Sequence, residues 1–300
     1  MQACRKDTVA QDYVCYNSPL MKFEIFQMPT QARASRRNKL RRVNAWLSRA
    51  VLASCMWVAA LPVQAQAPDL RQLELSYLRS AVAANLLDYA GIEVPAIENI
   101  RQDRDETGPF LALRTYYRQP LKNGGVRAEI SVDYPFRDGD RVRYAWRMKL
   151  PADFTADTGG NRWWIVGQWH DQPNRNRGET WAGYPGHSPA VGLGYGRTAD
   201  GQDMLSLLYG APDPKPAGLF PIPRGIWIRL AVEIEWSTGS NGRVQVFVND
   251  AAVPVREARG RNMYNDFQHY MKVGGYRHPD IRGDAWIQIA DIEARTLAPR

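Results

Sequence analysis

Between Arg141 and Leu150 the sequence alternates almost without fault. Val142, Tyr144, Trp146, Met148 and Leu150 fall on one side of an extended chain, and Arg141, Arg143, Arg147 and Lys149 on the other. Side chains of a strand point alternately to its two faces, so this run has one apolar and one charged face. A helix with the same residues would scatter its apolar groups around its surface. The same period recurs in short runs at 110–118, 125–134, 162–170, 190–196, 203–209, 226–236, 243–249, 270–276 and 285–295. Turn residues separate them, and Asn241-Gly242 is a hairpin signal between two of them. Ten such runs without interleaved helices predict an all-β chain: an antiparallel β-sandwich of jelly-roll, concanavalin-like type.

One helix is expected before the strands, over 69–89. Asp69 serves as N-cap, Gln72 follows three residues later, and Leu70, Leu73, Tyr77, Ala81 and Leu86 form the apolar stripe. Two long segments interrupt the strand pattern: Asp171–Pro189, and Ala211–Arg224 with its five prolines. Long loops in a compact sandwich tend to carry binding functions.

Charge and cysteine divide the chain in the same place. Residues 1–65 hold ten Lys or Arg and three acids, leaving 29 basic and 28 acidic residues in the other 235. The near-neutral body excludes a surface built to coat nucleic acid. Cys4, Cys15 and Cys55 all lie in the first part, so the body has no disulfide framework, zinc–thiolate site or cysteine nucleophile.

The Arg-rich stretch 33–49, the short apolar run Ala50–Ala60 and the small-residue site Val63-Gln64-Ala65 together make a secretory signal peptide, with cleavage after Ala65. The apolar run is too short for a permanent bilayer span. Met21 or Met28 are alternative starts. The expected organisation is therefore a leader over 1–65, the helix and a linker over 66–109, and the jelly-roll domain over 110–300. The mature protein is expected to be exported, periplasmic or extracellular, and monomeric.

Three strand candidates carry polar residues two apart, hence on one sheet face: Arg127-Ala128-Glu129, Gln168-Trp169-His170, and Tyr270-Met271-Lys272-Val273-Gly274-Gly275-Tyr276. Singly each has an ordinary structural reading, such as a cross-strand ion pair or a solvated histidine. Together, and in this order, they resemble the R-x-E, Q-x-H and Y-x-K-x-G-x-Y motifs of alginate lyases of polysaccharide lyase family seven. The stretch from Tyr144 through Leu150-Pro151 to Trp164, then Pro223-Arg224-Gly225 to Trp227, Glu233–Trp236 and Gly275-Tyr276-Arg277, is similar in kind to the glucuronan lyase and heparin-lyase-like group. The resemblance spans about 110–295. Trp169, and the Arg277-His278 pair after the last tyrosine, depart from the alginate pattern and point away from alginate.

This resemblance implies β-elimination on a uronic-acid polysaccharide, glucuronan-like in the first instance. Such chemistry must neutralise a carboxylate and stabilise an enolate. Arg127 suits bidentate contact with the carboxylate, and Gln168 can donate an amide hydrogen bond. His170 can neutralise the carboxylate or act as base, and Tyr276 can serve as base when ionised and as acid when neutral. Lys272 or Arg277 would favour the phenolate. In glucuronate and mannuronate the C5 hydrogen and the C4 oxygen are syn, so one tyrosine can make both proton transfers. In guluronate and iduronate they are anti, and His170 would share the work. Arg143 and Arg147 either line subsites for a polyanion, with Arg277, or form a solvated strand face; Trp181 and Tyr184 are expected to stack on sugar rings, and Trp169 either to join them or to belong to the core.

No cofactor is required by this chemistry; a structural calcium ion is an option, with Asp291 and Glu293 as the nearest acids. A non-catalytic lectin-like module on the same sandwich is the alternative, because fold does not fix function. A retaining glycosidase would need two carboxyls about 5–5.5 Å apart, and Glu233/Glu235 is the candidate pair.

Overall fold

A computed structural model describes residues 69–154 and 162–298. The proposed leader, with its cleavage site after Ala65, lies outside the described residues.

The chain forms fourteen strands among the described residues: β1 Ala90–Glu93, β2 Ile100–Asp105, β3 Gly108–Tyr116, β4 Val126–Val132, β5 Arg141–Lys149, β6 Trp164–His170, β7 Val191–Arg197, β8 Asp203–Tyr209, β9 Lys215–Pro221, β10 Ile228–Glu235, β11 Arg243–Val248, β12 Arg256–Arg259, β13 Tyr270–Arg277 and β14 Asp284–Leu297. They assemble into two seven-stranded sheets, β1-β4-β13-β6-β7-β8-β9 and β12-β11-β10-β5-β14-β3-β2. Every pairing of neighbouring strands within the two sheets is antiparallel, the arrangement of a β-sandwich.

The alternation read in β5 is what joins the sheets. Val142, Tyr144, Trp146 and Met148 are fully buried, and buried with them are their partners Ile234, Val232, Leu230 and Ile228 on β10 and Ala294 and Ile289 on β14. Trp146, Trp164, Trp169 and Trp236 lie inside the same continuous core. Aromatic side chains of this size dominate the burial energy of such a core.

The ten strands expected from sequence are all present. The four that were not expected are β1, β9, β12 and β2, and each lies at the edge of its sheet. β2 exposes four consecutive residues, Arg101 to Arg104, so it carries no apolar alternation. The proline-rich segment expected as a loop contains β9. Proline is tolerated there because an edge strand has a side that needs no N–H donor.

The expected helix over 69–89 is shorter. Helix α1 spans Leu70–Leu78, with the Asp69 side chain accepting from the Arg71 amide at 3.1 Å. The chain then turns, and residues 84–89 form a 3-10 segment. The turn is imposed by β14. A bulge between Ala290 and Glu293, with Asp291 at φ +51°, frees the Ile292 backbone. Ile292 receives the Ala83 amide at 2.9 Å and donates to the Ala81 carbonyl. That exchange buries Ala81, Val82 and Leu86 against the sandwich, and a continuing helix could not make it. The segment after the turn becomes β1, paired with β4.

Asn241-Gly242 lies between paired strands as expected, but in the seven-residue connection 236–242 rather than in a two-residue hairpin. No helix among the described residues is long and apolar enough to cross a membrane.

Candidate active site

β13 is the centre of the site, with β4 on one side and β6 on the other. The registers bring the three motifs together: Tyr276 opposes Arg127, Gly274 opposes Glu129, Lys272 opposes Gln168, and Tyr270 opposes His170. The alternate residues Ala128, Ile130, Trp169, Met271 and Val273 are buried in the core. The motif side chains therefore share the outer face of this sheet. Gly274 sits where β13 slips one residue against β6, at φ +138°. A Cβ there would lie 2.3 Å from the Ala128 carbonyl oxygen, so the motif needs glycine at this point.

Arg127, Glu129, Gln168 and Tyr276 form one contact network, and Glu93, 3.6 Å from Arg127 Nη1, extends it to Lys272. Glu129 is fully buried and accepts from Gln168 Nε2 at 2.6 Å. Its other oxygen lies 3.5 Å from Arg127 Nη1. Burial raises the Glu129 pKa, while the charges of Lys272 and Arg127 and the Gln168 bond pull it back. The Arg127 guanidinium lies over the Tyr276 ring, 4.2 Å from the centroid. Tyr276 is half-buried, its ring edge-on to Trp163 at 4.6 Å. Burial raises the phenol pKa, and Arg127 opposes the rise by its charge and a hydrogen bond. The cation beside Tyr276 is thus Arg127, where Lys272 or Arg277 had been expected.

Lys272 is spoken for by a residue the sequence reading missed. Its Nζ donates to Glu93 Oε2 at 2.8 Å, and Asn123 Nδ2 donates to the same oxygen at 3.0 Å. Glu93 belongs to β1, the edge strand that carried no readable pattern.

His170 heads a second cluster. Its Nδ1 faces the Asp171 carbonyl at 2.9 Å and Asp171 Oδ1 at 3.1 Å, and its Nε2 faces the His187 carbonyl at 2.9 Å. Asp171 is fully buried. Its Oδ2 accepts from the Tyr184 hydroxyl at 2.7 Å and contacts His187 Nδ1 at 2.5 Å. Burial by itself would raise the Asp171 pKa, but the bond and charge of His170 and the bonds from Tyr184 and His187 outweigh it, leaving about 2. Tyr270 joins the clusters: Lys272 Nζ is 4.9 Å from its ring centroid and the His170 ring 6.0 Å. Asp171 and His187 were legible only as an acid beside a motif and one of four histidines in the chain.

Of the expected substrate contacts, Trp181 and Tyr184 are at this face. Trp181 is 57% exposed and meets Tyr184 and Tyr270 edge-on at 5.7 and 6.4 Å. The other four are not. Trp169 is fully buried between the sheets, 5.4 Å from the Tyr144 ring and 6.2 Å from Trp146. Arg277 is buried on the core side of β13, over the Trp164 ring at 5.1 Å, and donates to the Gly283 carbonyl. Arg143 and Arg147 are on the outer face of the opposite sheet, paired with Glu233 at 2.8 Å and Asp291 at 2.6 Å. In all four cases alternation gave two faces correctly, but the sheet or the direction was the wrong one.

The carboxyl pair Glu233/Glu235 is on that opposite sheet too, with Glu233 held by Arg143 and Arg141. Asp291 is held by Arg147 and Glu293 by Arg229. No group of three or more His, Cys, Asp or Glu positioned to hold a metal ion occurs among the described residues.

An antiparallel β-sandwich with guanidinium, amide, imidazole and phenol gathered on one sheet face has the groups of an acid–base site. The family sequence model described as Polysaccharide lyase matches residues 96–293, well over half of the chain. The chain belongs to that family and is a polysaccharide lyase. Similar solved structures include the endo-β-1,4-glucuronan lyase of the fungus Trichoderma reesei, with 14% identity and a TM-score of 0.51, covering 72% of this chain and 92% of that one. The alginate lyase Aly36B is 17% identical with a TM-score of 0.43, covering 66% and 86%. The alginate lyase vAL-1 from Chlorella virus is 9% identical with a TM-score of 0.45, covering 71% and 95%. At these identities the likeness is one of fold. No curated protein matches the sequence.

Proposed function

We propose that this lyase cleaves a glucuronan-like uronic-acid polysaccharide by syn β-elimination, with Tyr276 making both proton transfers. The observation that carries the proposal is the occupancy of His170. Both its ring nitrogens face oxygen acceptors, so neither is turned outward as a proton acceptor. That leaves it suited to balance the substrate carboxylate by charge, and leaves Tyr276 as the acid–base group.

The phenol first gives its proton to solvent, a step that burial opposes and the Arg127 charge favours. The phenolate takes the C5 proton, and the electron pair of the C5–H bond becomes the C4–C5 double bond as the C4–O4 bond breaks. The same proton passes from Tyr276 to O4, so the tyrosine leaves the elimination as the phenolate that entered it. Arg127 and Gln168 are suited to hold the substrate carboxylate while its charge spreads into the enolate. Trp181, exposed beside Tyr270, offers a stacking face to a neighbouring sugar. One tyrosine can serve C5–H and O4 only when they are syn, which favours glucuronate or mannuronate over guluronate. The fold likeness to a glucuronan lyase supports the first.

Export belongs to the same proposal and rests on the leader pattern over 33–65. Amino-terminal sequencing of secreted material should begin at Gln66.

The test is incubation of residues 66–300 with glucuronan, alginate blocks and heparin-type glycans while ultraviolet absorbance of the unsaturated product is followed. Absorbance rising on glucuronan and absent for Tyr276→Phe is the expected result. A rise only on guluronate-rich blocks would overturn the syn assignment, and no rise on any polymer would overturn the uronate reading.

A further inference from the structure

The His170 cluster is built more elaborately than a solvated histidine requires. Asp171 has no exposed surface, yet it remains well below the ordinary aspartate range because three side chains supply it with donors. Two of these, Tyr184 and His187, come from the long loop after β6, thirteen and sixteen residues away. Tyr184 is itself held by Asn265, whose Nδ2 lies 2.9 Å from the Tyr184 hydroxyl. The His187 ring stacks on Tyr264 at 4.2 Å. Pulling His187 onto Asp171 has a second effect: the His187 carbonyl arrives on His170 Nε2. Asp171 thus meets one imidazole nitrogen through its backbone carbonyl, with its carboxylate Oδ1 at ion-pair distance, and through the loop places an acceptor on the other.

We propose that Asp171 is a positioning residue that holds His170 as a fixed double donor, and so as a cation, facing the substrate carboxylate. An imidazole satisfies two oxygen acceptors at once only when both nitrogens carry hydrogen. The groups facing His170 are Asp171 and the His187 carbonyl from the loop and Tyr270 from β13, with His269, from the segment before β13, close enough to feel its charge. Among them Asp171 is the one carboxylate in contact with the ring. The inference rests on reading His170 as the partner of a uronate carboxylate.

The experiment uses the mature chain labelled with ¹⁵N-histidine, with His170→Gln identifying the His170 signals. At neutral pH both ring nitrogens of His170 should show the shifts of a protonated imidazolium. A neutral tautomer in the wild-type protein would overturn the proposal, and this readout needs no variant to fold. Asp171→Asn should convert the signal to a neutral tautomer and lower kcat by roughly 10²-fold with KM little changed, as misplacement of a charge partner does. Asp171→Glu should recover part of the loss. Wild-type kcat in Asp171→Asn would also overturn it. If the wild-type protein cleaves no uronate yet shows the imidazolium, the proposed function fails while the Asp171–His170 relationship stands.

Discussion

The guanidinium of Arg127 lies 4.2 Å from the centre of the Tyr276 ring, directly across the β4–β13 pairing. One contact sets both the orientation and the charge environment of the phenol. The ring is further fixed by Trp163 at 4.6 Å. Gly125 closes its other approach, because a Cβ there would be 2.5 Å from Tyr276 Cε2 and 3.0 Å from Arg127 Nη2. Tyr276 therefore has little room to turn, as a group serving two adjacent substrate atoms must.

The phenol pKa is raised by burial, with Arg127 opposing. The reactive species is the phenolate, so kcat/KM should climb as pH rises from neutrality toward the raised value. Tyr276→Phe should retain the fold by circular dichroism and lose about 10²–10⁴-fold in rate. Arg127→Met should move the rising limb to higher pH, because it removes the charge that favours ionisation.

Gly125→Ala is expected to displace the Tyr276 ring without touching the substrate. Its cost should appear in kcat, at roughly 10²-fold for a shift of about an ångström, with a small change in thermal midpoint. Equal losses in kcat for Gly125→Ala on good and poor substrates would accord with displacement of the acid–base group. An unchanged kcat would contradict the tight approach.

Two tryptophans should separate stability from binding. Trp169→Ala empties a buried site beside Tyr144 and Trp146 and should cost about 3–5 kcal/mol in denaturant unfolding. Trp181→Ala should leave stability almost unchanged and raise KM. Arg147→Ala, on the opposite sheet, should alter neither KM nor kcat, and its ion pair should be worth about 0–1 kcal/mol.

Asp171 carries an acid-stability signature. Its pKa falls from the ordinary 3.8 to about 2 on folding. A carboxylate depressed in the folded state contributes stability in full above its unfolded value and loses it as pH drops through the folded one. The window is therefore pH 4 down to pH 2, and the contribution is roughly 2 kcal/mol. Urea unfolding of the wild type should weaken across that window more steeply than that of Asp171→Asn. Parallel slopes would contradict the depressed carboxyl.

What could be read in advance follows a physical division. All ten inner strands show as short alternating or apolar runs, β5 most plainly, because a strand between two neighbours buries its whole core face. β1, β2, β9 and β12 escaped because an edge strand can be short, polar or proline-bearing and still pair on one side. The helix was overextended for a related reason. Ala81 and Leu86 fit a helical stripe, but the bulge in β14 offers them burial by another route.

The site divides likewise. Spacing of two within each motif guaranteed that Arg127 with Glu129, Gln168 with His170, and Lys272 with Tyr276 would share a strand face. That much is covalent geometry, and the sequence alone determined it. Only the assembled sheets decided that those three faces meet on neighbouring strands while the arginine face of β5 looks out from the other side. They also decided that Trp169 and Arg277 point inward. Glu93 reaches Lys272 from 179 residues away, and His187 reaches Asp171 across a loop. Contacts of that kind leave no periodic trace, because their energy depends on where distant segments are brought by burying the core and not on the residues beside them in the chain.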